Sequence, residues 1–232
     1  MTNNIYIGWD TKQDIAYEVC KYSLLKTSSV PIVVKPLKLT ELRSKQLYTR
    51  PIDPLSSTEF TFSRFLVPYL NNYTGWAVFC DCDFLFLYDV AKLFENLDPS
   101  KAIYCVKHDY TPKEKHKMDG QQQTIYPRKN WSSFIVFNCD HPSNKKLTVD
   151  IVNSESGSFL HQFKWLKDEE IGTLDERRNW LEGWTSQHNK NKPYAVHYTR
   201  GGPWFDEWQD VEFAKEWIQE RDTYIKRKFE FN

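Results

Sequence analysis

Asp81-Cys82-Asp83 sets two carboxylates one residue apart directly after the apolar run Trp76-Ala77-Val78-Phe79-Cys80. A run of that kind reads as a buried strand, with the acids at its C-terminal end. In an open α/β sheet a ligand crevice forms at that end of the strands. Asp-x-Asp also serves as a plain turn opener or helix cap. Here, however, Phe84-Leu85-Phe86-Leu87-Tyr88 follows at once, so the acids interrupt a hydrophobic stretch. Two buried, unpaired carboxylates cost several kcal/mol, roughly, unless a positive group meets them. Where pairing ends and the chain turns, both reach one ligand shell, and a divalent cation carrying a diphosphate takes such oxygens. His197 is the next candidate ligand, closing the run Tyr194-Ala195-Val196 and leading into Arg200-Gly201-Gly202-Pro203-Trp204. Asp81, Asp83 and His197 combine oxygen with one imidazole nitrogen, a set that suits Mn²⁺, with Mg²⁺ as the alternative.

The elements that must position these groups alternate between strand and helix. Residues 5–10 read as a strand ending in a Gly turn and an acid, and 14–25 as a helix with Ile15, Val19, Tyr22 and Leu25 on one face. A strand follows at 31–37, then a helix-poor stretch to Pro54, then a helix over 58–70 capped by Ser57 or Thr58. Past the two acids come a short helix over 90–97, strands over 102–106 and 133–138, and helices over 145–153 and 157–165. Residues 107–130 are polar and long enough for an active-site loop. A short strand over 194–198 and a charged helix over 206–228, with Trp208, Val211, Trp217 and Ile218 available for packing, complete the chain.

Composition bounds the function. The 232 residues carry 31 basic and 31 acidic side chains, enough for one large α/β domain. Zero formal net charge excludes non-specific nucleic-acid binding, which needs a basic excess. No run approaches the ~20 apolar residues of a membrane span, and the start lacks a basic flank with an apolar core. A cytosolic protein is expected, with its five scattered cysteines reduced and in the core. Nine Trp, thirteen Tyr and fifteen Phe are about twice ordinary aromatic usage. Aromatic rings stack on sugars and nucleobases as well as filling cores, so carbohydrate or nucleotide handling is expected.

Five segments together resemble the metal-dependent glycosyltransferases of the GT-A fold, and among them the glycogenin-like retaining group. They are residues 5–10, 62–70, Asp81-Cys82-Asp83, 134–138 and 197–204, in that order. The resemblance implies one GT-A domain over 1–232, with a mixed, mostly parallel central sheet flanked by helices. Within it, 1–100 would be the nucleotide-binding half, 101–205 the sugar and acceptor half, and 206–232 a terminal helix.

The resemblance also implies roles. Gly8, Trp9, Asp10 and Tyr17 would hold the base and ribose, Arg64 the diphosphate or sugar, and Asp81 the ribose and metal. Asp83 and His197 would complete the metal shell, with Cys82 carried between the acids. Asn138, Asp168 and Glu169 would face the transferred sugar, although the charge pattern of 168–170 fits a solvated helix start equally well. The group's usual last motif is His-x-x-Gly-x-x-Lys-Pro-Trp; here the interval from His197 to Trp204 is one residue shorter and Gly202 replaces the lysine. Arg200 would then supply the missing cation, with Gly201, Gly202 and Trp204 around the donor.

The expected reaction is hexosyl transfer from a nucleoside diphosphate sugar, UDP-sugar first, to a hydroxyl on a glycan, protein or lipid-linked acceptor. With retention the leaving phosphate takes the acceptor proton; with inversion Asp168 or Glu169 acts as base. Two alternatives compete. A phosphohydrolase of the haloacid-dehalogenase type also places Asp-x-Asp after an apolar strand, but Leu85 stands where such an enzyme has Thr or Val. A noncatalytic nucleotide-sugar-binding module is the other.

Overall fold

The structure is a computed structural model that describes residues 3–51, 56–110 and 127–230. The apolar runs become strands β1 (Asn3–Gly8), β2 (Ile32–Leu37), β3 (Trp76–Cys80), β4 (Phe84–Phe86), β5 (Ile103–Cys105), β6 (Phe134–Asn138), β7 (Ile171–Thr173), β8 (Trp180–Leu181) and β9 (Ala195–His197). The helices are α1 (Asp14–Thr27), α2 (Leu39–Ser44), α3 (Val67–Leu70), α4 (Val149–Ser154), α5 (Gly157–His161) and α6 (Ala214–Glu230).

Among the described residues, six strands form a mixed sheet in the order β2-β1-β3-β6-β5-β7. Every neighbouring pair is parallel except those made by β6, which runs antiparallel to β3 and β5. The carboxyl ends of β1, β3, β5 and β7 therefore share one edge with the amino end of β6. Cys80 faces Phe134 at that edge, while Trp76 faces Asn138 at the other.

A second, three-stranded sheet, β4-β9-β8, was not anticipated, because strands of two or three residues are too short to show a period. It builds the site: β4 pairs antiparallel with β9 so that Phe84 faces His197, and Tyr198 N–H donates to Asp83 O at 3.0 Å. The main chain thus sets His197 beside the second acid.

Both sheets are held by buried apolar side chains. The larger core joins Ile5, Ile7, Val78, Phe79 and Phe134 from the central sheet to Phe65 and Leu66. The smaller one joins Val19 of α1, Leu85, Val196 and Tyr198 to Trp217 of α6. Each such side chain contributes about 1.5–3 kcal/mol. Of the four packing residues anticipated for the terminal helix, Trp217 is the one that becomes fully buried.

Several boundaries differ from expectation. Residues 39–44 form α2, anchored by buried Leu42, where a helix-poor stretch was expected. The expected helix over 58–70 is divided: turns over 58–62 lead into a 3-10 segment, Ser63–Leu66, and then α3. Pro68 explains the break, since it has no amide for the Arg64 carbonyl and its ring crowds that carbonyl. Neither Ser57 nor Thr58 caps a helix there; Phe62 holds the cap position with no side-chain bond. The helix expected over 90–97 is a 3-10 turn, Val90–Phe94, capped by Asp89. Thr148 and Ser156 cap α4 and α5, which are shorter than expected. Trp208 and Val211 precede α6, with Phe213 at φ 61° separating them from it. Of the expected active-site loop, 111–126 lies outside the described residues. Among the described residues, no helix is long and apolar enough to cross a membrane.

Candidate active site

Asp81 leaves β3 with its N–H donating to Ser133 O at 3.0 Å, which fixes the start of the turn against β6. One ligand atom each from Asp81, Asp83 and His197 lie within 4.8 Å of one another. His197 stacks on Phe84 at 4.5 Å, and its Nε2 stands 3.4 Å from Asp83 Oδ1. That oxygen is buried and makes no hydrogen bond among the described residues. A buried carboxylate oxygen without a donor is costly, so the position calls for a cation. Two carboxylates and an imidazole fit a hard divalent ion such as Mn²⁺ or Mg²⁺ better than a thiophilic one.

Arg64 holds the other acid. Its Nη1 lies 2.7 Å from Asp81 Oδ1 and donates to Ser132 O at 2.8 Å, while Nε donates to Thr61 O at 3.1 Å. The guanidinium also sits over the Phe79 ring at 4.8 Å. These groups open into a cavity of about 340 Å³. Among the described residues lining it, Asp81 and Asp83 are the carboxylates and Arg64 is the permanent cation. The remaining wall is mainly hydroxyl, amide and imidazole, including Thr58, Thr61, Asn130, Ser132, Ser158, His161, Gln162 and Thr199, with Phe62 as its aromatic member.

His161 Nδ1 is 2.8 Å from Ser132 Oγ, and its ring meets Phe65 edge-on at 5.1 Å. Burial above all, and then Arg64 and Arg50, push its pKa from 6.5 down to about 3. His108, next to His197 in its electrostatics, is likewise pushed down to about 3, chiefly by burial. The folded state therefore refuses a proton that the unfolded chain accepts below 6.5. His161 stabilises fully above that pH and loses its contribution as pH falls toward 3, about 2 kcal/mol by pH 5. Between pH 7 and 5, His161→Gln is expected to lose about 4–8 °C less in Tm than the parent. Parallel acid melts of the two proteins would show this.

Not all of the expected site residues meet the cavity. Gly8 stays at the productive edge but serves packing, since a Cβ there would come within 2.4 Å of the Phe60 ring. Trp9 Nε1 donates to Asp14 Oδ1 at 2.8 Å, and Lys38 lies over its ring. Asp10 caps the next turn through Lys12 N–H and accepts Glu59 N–H at 3.0 Å, tying β1 to the segment that carries Thr58 and Thr61. Tyr17 is buried in α1, and burial raises its pKa.

Cys82 points into the core, fully buried, with its thiol pKa pushed well up by burial and the flanking acids. Alternation along the chain turns it away from the face shared by Asp81 and Asp83. Arg200 pairs with buried Glu182 at 2.8 Å and covers Trp208. It does not line the cavity and does not replace the missing lysine there. Gly201 and Gly202 make room for the Trp208 and Trp204 rings, and Trp204 packs on Trp217 of α6.

Three residues expected to be catalytic also stand away from the cavity. Asn138 ends β6 at the opposite edge of the sheet, roughly 16 Å from Asp81 by strand rise, with Nδ2 donating to Pro99 O and Lys101 O. Asp168 is 84 % exposed and pairs with Arg128, and Glu169 is 72 % exposed beside Lys167. Neither lines the cavity. Sequence reading missed His161, Ser132, Thr61 and Asn179, which carry no motif spacing. Asn179 is fully buried, with Oδ1 2.9 Å from His197 Nδ1.

Comparison with known proteins gives a consistent result. No protein-family model matches the chain. Protein CDI of Arabidopsis thaliana is 53 % identical over 225 residues, covering 96 % of this chain and 87 % of that protein. Among solved structures, the bifunctional glycosyltransferase WbbM superposes with a TM-score of 0.67 at 15 % identity, over 95 % of this chain. This chain spans only 49 % of WbbM. The galactosyltransferase LgtC, solved with donor and acceptor sugar analogs, superposes with a TM-score of 0.60 at 10 % identity, over 95 % of both chains. The chain has the GT-A fold of these glycosyltransferases and belongs to the family of Arabidopsis thaliana Protein CDI.

Proposed function

We propose that this protein is a glycosyltransferase that moves a sugar from a nucleoside diphosphate sugar, UDP-sugar first, to a hydroxyl acceptor, using Mn²⁺ or Mg²⁺ held by Asp81, Asp83 and His197. The observation that carries the reading is the unsatisfied Asp83 Oδ1 facing His197 Nε2 at 3.4 Å, in a cavity walled mainly by neutral polar groups. When bound, the ion would offset charge developing on the leaving diphosphate. Arg64 neutralises Asp81 and orients it. The hydroxyls and amides of the wall suit an uncharged polyhydroxylated ligand, and His161, neutral above about pH 3, is positioned to read one of its hydroxyls.

Retention is the better-supported outcome. Both lining carboxylates belong to the proposed metal shell, which leaves no described lining carboxylate free to act as base or nucleophile. The sugar C1–O bond to the diphosphate breaks, the acceptor oxygen bonds C1 on the same face, and its proton passes to the departing phosphate. Gly8 to Asp10, beside the segment carrying Thr58, remain the proposed edge for the base. The acceptor is a glycan, protein or lipid-linked hydroxyl.

Calorimetry with UDP, GDP and CDP, in Mn²⁺ and then in chelator, tests the reading. Metal-dependent binding of one nucleotide is the expected result; no binding, with phosphate release from small phosphoesters, would favour a phosphohydrolase instead. Asp168→Ala and Glu169→Ala are expected to change turnover by about twofold or less, as exposed substitutions do. A loss of several hundredfold in either would restore a protein base and an inverting product.

A further inference from the structure

Asn179 ends a 3-10 turn, Glu176–Asn179, just before β8, whose Leu181 is paired with His197. Its two amide atoms are distinguished by their neighbours. Ser133 Oγ spends its hydrogen on Asn130 O at 2.7 Å, so at 2.9 Å it accepts from Asn179 Nδ2. A second contact from Nδ2 to Asn130 O at 3.5 Å has the same sense. The amide oxygen must then be the atom that faces His197 Nδ1 at 2.9 Å, and an oxygen there accepts a hydrogen. Nδ1 therefore carries a hydrogen, which leaves Nε2, 3.4 Å from Asp83 Oδ1, as the nitrogen that an ion can take.

We propose that Asn179 is a positioning residue for the metal shell: it locks His197 in the Nδ1–H form and in one ring orientation, so that Nε2 is the ligand atom. The inference rests on the metal reading above. It also sets Nε2 and a carboxylate oxygen face to face at 3.4 Å, an arrangement that an ion bound by both would fill. The lock is anchored to the same strand edge that fixes the first acid, because Ser133 O accepts Asp81 N–H. Partners that orient a ligating histidine in this way are commonly worth about 10–100-fold in metal affinity.

Mn²⁺ titration followed by the electron-paramagnetic signal of the free ion, with UDP present, tests the assignment. Asn179→Leu, which cannot accept the Nδ1 hydrogen, is expected to bind Mn²⁺ about 10–100-fold more weakly. Asn179→Asp, which can, is expected to stay within about threefold of the parent. Long-range ¹H–¹⁵N correlation on histidine-labelled protein with Mg²⁺ reads the tautomer directly, and Nδ1–H is expected for His197. Parent-like affinity in Asn179→Leu, equal losses in both variants, or an Nε2–H tautomer would overturn the lock while leaving the metal site standing. Absence of Mn²⁺ binding in the parent would instead remove the metal reading itself, and the lock with it.

Discussion

Asp83→Ala is expected to lower transfer by about 10³-fold, to abolish Mn²⁺-dependent UDP binding, and to leave the melting temperature unchanged or slightly raised. The two effects separate because Asp83 serves the site and not the fold. Its Oδ1 is buried and makes no hydrogen bond among the described residues, so the folded protein gains nothing from that charge until a cation arrives. Truncation removes a desolvated carboxylate, which on its own is neutral or stabilising, and removes a ligand at the same stroke. Melting in the absence of metal, with nucleotide calorimetry in its presence, checks both halves. Parent-like turnover would dismantle the metal shell. His197→Ala should match the loss in activity but also lower stability, since it strips the stacking partner of Phe84 and the donor at 2.9 Å from Asn179 Oδ1.

The cluster of Asp81, Asp83 and His197 was legible in the sequence for a specific reason. Two acids closing an apolar run, and a histidine closing another, mark strand ends, and strand ends are where a crevice opens. What the pattern could not supply was strand direction. The resemblance placed Asn138, the polar end of residues 134–138, at the sugar, yet β6 runs antiparallel, and Asn138 lies at the far edge. Alternation of apolar residues has the same period in either direction, so direction is decided by pairing partners distant in sequence. Cys82 was legible in principle, since a period of two turns it away from its neighbours.

The loop after β9 misled for another reason. Gly201 and Gly202 were read as space for a ligand, whereas the space is filled by the rings of Trp208 and Trp204. Glycine next to tryptophan signals close approach without saying of what. The neutral wall of the cavity was not legible at all. Its serines, threonines and His161 come from segments far apart in the chain and share no spacing, and only the fold makes them neighbours.

Arg64 should show the largest effect on stability. It is 5 % exposed, paired with Asp81, and donates to the carbonyls of Thr61 and Ser132, in two segments distant in the chain. Arg64→Ala takes the guanidinium from a largely buried carboxylate and its hydrogens from two carbonyls, a loss of about 3–5 kcal/mol. For a chain of this size that corresponds to a fall of roughly 6–20 °C in Tm. Arg64→Lys keeps the charge but not the fork, and should fall between, because a single ammonium cannot serve three acceptors at those angles. Mn²⁺ then distinguishes structural from functional loss. If Asp81 is a metal ligand, the ion supplies the positive charge that Arg64→Ala lacks, and saturating Mn²⁺ should raise the Tm of the variant more than that of the parent. Equal shifts in the two proteins would mean that Asp81 answers to Arg64 alone, and the ion would have to be held by Asp83 and His197 without it.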